Sequence, residues 1–196
     1  MVRSRIAASA VACLLLAGCS PAPAPSPSPT PTPSFSCTPE AGGVAYECSQ
    51  FDHEQMVAKD KLYAEAEAVY RKFFAEDERI YRAGGVDEPT PVLLETTTGR
   101  FLEDSMRIYR ALRKTGTHSE GDAATLAWLR RSPGESEGGS LVAMQSCTDA
   151  SRSIMVTPGA KDESAGYLSD LLFFNVESGV LKITSARGDV GETCED

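Results

Sequence analysis

The spacing of apolar residues changes once along this chain, near Gly121, and that change restricts the fold class more than any other feature. Before it, Leu62, Ala66, Val69, Phe73 and Ile80 recur at helical spacing, flanked by Tyr63, Tyr70, Phe74 and Tyr81. Residues 52–83 contain neither Gly nor Pro, so the pattern predicts one long amphipathic helix. Asp52 followed by Gln55 predicts a capping-box start, and Gly84-Gly85 an end. Pro89 and Pro91 mark the next connection, with a short helical turn over 91–95. A second helix is predicted over 99–114, where Phe101, Leu102, Ser105, Met106, Tyr109 and Leu112 form one stripe and Gly116 lies just beyond. After Gly121 the pattern is strand-like over 123–131, 140–147, 152–157, 167–176 and 180–187. Ser132-Pro133-Gly134, Thr148-Asp149-Ala150, Pro158-Gly159 and Glu177-Ser178-Gly179 separate these runs. Helices followed by an antiparallel meander predict an α+β fold, with the helices packed on one face of a curved sheet. Residues 35–196 are enough chain for one such domain.

Six cysteines divide by position: Cys13 in an N-terminal apolar run, Cys19 just after it, and Cys37, Cys48, Cys147 and Cys194 in the folded part. An even number in an exported chain is expected to form disulfides. Four cysteines allow three connectivities. The expected one is Cys37–Cys48, closing a short loop at the domain's entrance, with Cys147–Cys194 tying the C-terminus to an interior strand. These would contribute about 3 and about 4 kcal/mol on the chain-entropy account. A zinc site is the rival, but structural zinc favours close Cys-x-x-Cys pairs, and the sequence has none.

Export itself is read from the N-terminus. Arg3 and Arg5 precede an apolar run from Ile6 to Ala17 that ends in Leu16-Ala17-Gly18-Cys19. This order of basic, apolar and small residues is a secretory signal, and Leu-Ala-Gly-Cys resembles the bacterial lipoprotein signal motif. The resemblance implies cleavage after residue 18 and diacylation of Cys19, giving a protein held by lipid on the outer face of a membrane. The apolar run is shorter than the roughly 20 residues of a spanning helix, and a diacylated cysteine anchors durably. From Pro21 to Pro33 every second residue is proline. Residues 19–34 are therefore expected to form a lipidated, extended stalk, whose proline repeat reaches about 40 Å.

The net charge of -9 becomes about -11 once residues 1–18, with their two arginines, are removed. That sign argues against nucleic acid, whose binding rests on Lys and Arg neutralising phosphates, and against adhesion to anionic headgroups.

Several short pieces between Leu62 and Cys194 carry a family likeness. They are the tyrosine-rich first helix, Thr98-Gly99 opening the second, Lys114-Thr115-Gly116 followed by Gly121-Asp122, Cys147-Thr148-Asp149-Ala150-Ser151, and Val180-Leu181-Lys182-Ile183 running on to Cys194. Together they resemble the secreted actinobacterial-type lipoproteins of the nuclear transport factor two-like superfamily, also called cystatin-like. The resemblance implies a cone of helices against a bent sheet. Members include isomerases, dehydratases, ligand carriers and protein-binding modules, so fold alone does not select among them.

A cone offers one apolar cavity, in which desolvation would raise a carboxylate's pKa and make it a proton shuttle. Asp77, one turn after Phe73 and one before Tyr81, is the first candidate to point inward; the plainer alternative is a solvated or arginine-paired carboxylate at the rim. Tyr63 and Tyr70 could direct hydroxyls into the same cavity, or simply pack as core rings. Trp128, the only tryptophan, is a candidate lining residue or core. His53, before the first helix, and His118, in a loop, lack a third ligand at metal-binding spacing, so no metal or other cofactor is expected. Asp149 is expected to bond its own backbone in a tight turn. Gly42-Gly43 and Gly138-Gly139 are isolated turn glycines, and no nucleophile elbow, phosphate loop or dinucleotide fingerprint occurs.

Three functional classes follow. The first is a non-catalytic envelope module binding a small ligand or another envelope protein. The second is an enzyme of isomerase or dehydratase type, using Asp77 with Tyr63 or Tyr70 on an apolar substrate. The third is a scaffold that forms a homodimer through its sheet face.

Overall fold

The computed structural model describes residues 34–195. The signal segment, Cys19 and the proline repeat lie outside the described residues. The domain opens with a small hairpin, β1 (Phe35–Cys37) and β2 (Tyr46–Cys48), closed by the Cys37–Cys48 disulfide. Its strands are three residues each, too short to carry a periodicity, and the hairpin is absent from the sequence expectations.

The first helix, α1 (Gln50–Arg82), begins slightly earlier than expected, because the cap is Ser49 rather than Asp52. The Ser49 hydroxyl accepts from the Asp52 backbone N–H at 3.1 Å and donates to the Asp52 carboxylate at 2.7 Å. Asp52 is thus the third-position acid of the capping box, not its first residue. Tyr63, Ala66, Tyr70, Phe73, Glu76 and Ile80 are the buried residues of α1. At the helix end the chain turns through Gly85, with φ of 87°, hard against the next long helix. A Cβ there would lie 2.0 Å from the Tyr109 carbonyl oxygen, so only glycine fits. A short helix α2 (Pro91–Thr96) is capped by Thr90, and α3 (Gly99–Thr115) ends at Gly116 in the left-handed conformation, as its sequence predicts.

The remaining chain builds one antiparallel five-stranded sheet: β3 (His118–Gly121), β4 (Thr125–Arg131), β5 (Val142–Val156), β6 (Glu163–Glu177) and β7 (Val180–Gly191). β3 and β4 both pair with the same edge of β5, β3 along residues 153–156 and β4 along 144–149. β6 and β7 follow on its other edge. His118 therefore sits in an edge strand rather than a loop, its Nε2 2.9 Å from Glu120 Oε1.

Two expected strands, 140–147 and 152–157, are in fact the single strand β5. Thr148-Asp149-Ala150 does not reverse the chain. The Asp149 carboxylate accepts from the Ser151 backbone N–H at 2.9 Å and from its hydroxyl at 2.6 Å. This is the local bonding expected of Asp149, but it serves a bulge: pairing with β6 resumes at Ile154 after the irregularity that follows Ala150. Further register shifts between Leu126 and Trp128 and between Phe173 and Phe174 add curvature.

The helices pack against one face of this curved sheet, giving the expected α+β cone. The core joins Tyr63, Tyr70, Phe73 and Ile80 of α1, Leu93 of α2, and Met106, Tyr109 and Leu112 of α3 to Val142, Met144, Leu172, Phe174, Leu181 and Ile183 of the sheet. Cys147–Cys194 ties the C-terminal tail to β5. Two disulfides in one small domain mark an oxidising, extracytoplasmic environment. Among the described residues, no helix is long and apolar enough to cross a membrane.

Candidate functional site

Between the C-terminal half of α1 and the helix-facing side of the sheet lies a cavity of about 300 Å³. Alternation along the strands decides what it contains. On β5, Ser146, Thr148 and Ala150 share one face, and the Tyr70 hydroxyl donates to Ser146 Oγ at 2.9 Å, so that face looks toward α1. On β6, Leu168 and Asp170 follow the same alternation as the core residue Leu172, and both line the cavity. From α1, Tyr70, Phe73, Phe74, Asp77 and Tyr81 supply an aromatic wall with one carboxylate in it. Ser119 and Ser153 add buried hydroxyls, 2.7 Å apart and bonded to each other.

Asp77 is the expected inward carboxylate, and it is not paired with an arginine. The Tyr109 hydroxyl donates to its Oδ1 at 2.6 Å. Its carboxyl is ringed by protein although the residue keeps some accessible surface. Burial pushes its pKa up to about 7, against the opposing effect of the Tyr109 hydrogen bond, while the charges of Asp170 and Glu78 add to the rise. Asp170 is pushed up to about 6 by burial. The Asp170 charge adds to the cost of ionising Asp77, as a like charge nearby does. Burial likewise pushes the Tyr70 hydroxyl up to about 12, and carries Tyr81 and Tyr109 above the ordinary phenol range. These tyrosines stay protonated, and Tyr70 and Tyr109 donate to Ser146 and Asp77.

Asp170 stands directly opposite Gly188 on β7, and a Cβ at Gly188 would lie 2.4 Å from Asp170 Oδ1. The glycine leaves the space that this carboxylate fills. Neither Asp170 nor the bond from Tyr109 is among the sequence expectations. The available signal was an acid in strand alternation with Leu168 and Leu172.

Two candidates are not where the sequence reading put them. Tyr63 lies two turns of α1 before Tyr70, and its hydroxyl donates to Glu40 Oε1 at 2.5 Å beside the entrance hairpin. Arg131 stacks over its ring at 4.7 Å. Seven residues displace a side chain by about 10 Å along a helix, which is enough to take Tyr63 out of the cavity. Trp128 pairs in register with Cys147, which alternates with Ser146 and Thr148 and so projects from the other face of β5. Its indole N–H donates to the Cys194 carbonyl at 2.8 Å, and Arg130 covers its ring at 4.1 Å. Trp128 therefore braces the C-terminal disulfide and does not line the cavity.

Glu76, a turn from Phe73, is nearly buried, and its carboxylate is held by two bonds of 2.7 Å from Arg79, which lower its pKa. It carries no raised-pKa chemistry. His53 packs its ring 5.3 Å from that of Phe35 at the hairpin. Among the described residues, no three His, Cys, Asp or Glu converge as a metal site.

No family model matches the chain, and no curated protein matches it. Among solved structures, it is similar to the intermembrane space region of the chloroplast protein ARC6, at 14% identity and a TM-score of 0.41, over 64% of this chain and 95% of that one.

Proposed function

We propose that this protein is an extracytoplasmic ligand-binding module, held to the outer face of a membrane through a lipidated Cys19 and raised from it by the proline repeat. The observation that carries the ligand-binding reading is the cavity between α1 and the sheet, walled by Tyr70, Phe73, Phe74 and Tyr81 and furnished with Asp77 and Asp170. A concave, largely apolar site with a few converging polar groups is the usual form of a small-molecule pocket, and this one is at the small end of the usual size range. The lipoprotein signal motif and the resemblance to a superfamily containing ligand carriers support the same reading.

The test is ligand-observed NMR on the full chain with indole, a neutral apolar probe. Binding that disappears in Ala150→Phe, a substitution aimed at filling the cavity, would support the reading, provided circular dichroism shows the variant folded. Binding unaltered in the folded variant, or no binding by the parent protein of either indole or its cationic relative tryptamine, would reject it.

A second reading, an isomerase- or dehydratase-type enzyme, is favoured by one observation: Asp77 has a pKa of about 7 beside a tyrosine donor. A carboxylate poised there can take and return a proton at neutral pH. Such an enzyme would lose turnover in Asp77→Asn while keeping affinity, whereas a binding module has no turnover to lose.

A further inference from the structure

Fifteen of the described residues line the cavity, and none of them is Lys, Arg or His. Three are acids. Glu78 is neutralised by Arg82 at 2.6 Å on the next turn of α1. Asp77 has only the neutral Tyr109 hydroxyl as its donor, and no side chain among the described residues donates to Asp170. The adjoining cleft, which shares Asp77 and Asp170, adds another acid, Asp189, and again no base. Two carboxylates thus face a shared space without a counter-ion among the described residues, inside a wall of aromatic rings.

Each class of ligand meets this wall differently. An anion would enter a site with no cation and two carboxylates. A divalent metal would find two acids and a largely apolar remainder, short of the six or more oxygens that Ca²⁺ or Mg²⁺ takes. A neutral apolar molecule would fill the volume but leave the carboxylates unanswered. An organic ammonium ion satisfies both parts, because its N–H groups can be shared by carboxylates while its carbon body, and the charge itself, lie against ring faces.

Resting on the ligand-binding reading, we propose that the cavity recognises a small organic ammonium ion, with its nitrogen between Asp77 and Asp170 and its apolar body against Phe73, Phe74 and Tyr81. The volume suits an amine of one or two rings. Tyr109 holds the Asp77 carboxylate in place, and Gly188 gives the Asp170 carboxylate room.

Ionisation of the pair then governs affinity. The titratable groups facing it are Tyr70, Glu78 and Tyr81 from α1, Tyr109 from α3 and Asp189 from β7. β3 and β5 present only the hydroxyls of Ser119, Thr148 and Ser153 and the apolar side chains of Ala150 and Met155. No base on any of these elements replaces the ligand's charge. At pH 8 both aspartates are ionised and attract a cation; at pH 5 both are largely protonated and the attraction lapses.

The test uses calorimetric titration of the full chain with three probes of one shape: tryptamine, a cation; tryptophol, its neutral counterpart; and indole-3-propionate, an anion. The expected result at pH 8 is tryptamine bound about tenfold or more tighter than tryptophol, with the anion weakest, as hydrogen bonds to charged partners require. At pH 5 the advantage of tryptamine should shrink to about threefold or less, as protonation neutralises the pair. Asp170→Asn should remove most of that advantage at pH 8 and leave tryptophol unchanged. Equal binding of tryptamine and tryptophol at pH 8 would overturn the ammonium assignment while leaving a ligand pocket. A preference for tryptamine that survives Asp77→Asn/Asp170→Asn in a folded protein would overturn it too, placing the cation elsewhere. Binding of none of the three would reject both the assignment and the ligand-binding reading on which it rests.

Discussion

The Tyr109 hydroxyl donates to the Asp77 carboxylate across 2.6 Å, joining α3 to α1 at the cavity wall. The bond favours the ionised carboxylate and so opposes the burial that raises its pKa. Tyr109→Phe is expected to move the Asp77 titration upward from about 7 and to cost about 1 kcal/mol of stability. Carbon-detected NMR of the side-chain carboxyl reads the first effect and urea unfolding the second. An unmoved Asp77 midpoint would mean that the bond is not made in solution.

Asp77 and Asp170 should make this domain lose stability as pH rises. Their native pKa values, about 7 and about 6, lie above the ordinary carboxyl value of 3.8. Between those limits the folded state binds more protons than the unfolded state. The contribution is complete below the unfolded pKa and is lost as pH climbs through 6 and 7. Glu76, Glu137 and Asp149 are shifted downward and act only at more acidic pH. His118, raised by its bond to Glu120, acts in the same sense as the aspartates but is a solvent-screened surface pair. Calorimetry should therefore give a higher Tm at pH 5 than at pH 8, by an amount equivalent to a few kcal/mol. The difference should largely vanish in Asp77→Asn/Asp170→Asn.

Gly85→Ala and Gly134→Ala should separate two kinds of glycine. Both have positive φ, 87° and 84° respectively, but a Cβ at Gly134 meets nothing within 4 Å, whereas at Gly85 it would meet the Tyr109 carbonyl oxygen at 2.0 Å and the Arg113 N at 2.9 Å. Denaturant unfolding should show a loss of about 1 kcal/mol for Gly134→Ala and about 3 kcal/mol or more for Gly85→Ala. Similar losses at the two sites would refute the close approach of α1 and α3.

The two disulfides close loops of different span, with sequence separations of 11 and 47. Replacing both cysteines of a pair by alanine should cost about 3 kcal/mol for Cys37–Cys48 and about 4 kcal/mol for Cys147–Cys194. Urea unfolding of the two double variants gives the order. A larger loss from the hairpin pair would show that its packing on α1 outweighs chain entropy.

Cys19→Ala should leave the precursor uncleaved by the lipoprotein peptidase and without lipid. Metabolic labelling with a fatty-acid analogue checks this, and label retained in the variant would refute the anchor.

The legibility of the site in the sequence follows from the periods involved. Asp77 was visible because a helix stripe of Phe73, Tyr81 and Ile80 leaves one acid conspicuous among apolar neighbours. Asp170 was not, because Leu171-Leu172-Phe173-Phe174 is apolar on both faces of β6 and masks the alternation that would have aimed the acid inward. Tyr63 shares a stripe with Tyr70, but a stripe gives direction and not height, and α1 is long enough for the two hydroxyls to have different partners. The disulfide pairing was legible from loop length and position. Thr148-Asp149-Ala150 has the composition of a turn, and only the ladders on both sides of it distinguish a bulge.

The Tyr70–Ser146 bond spans 76 residues, and it fixes a temporal order on the chain. A polypeptide delivered from its N-terminus presents α1 well before β5, β6 and β7 exist to cover it. For that interval a helix bearing Tyr70, Phe73 and Ile80 has no sheet to lie on, and only the Cys37–Cys48 loop can close. Cys194, which follows β7, completes the second loop. The apolar face of α1 is therefore covered only once β5, β6 and β7 are in place, so the core of this domain closes late in its chain order.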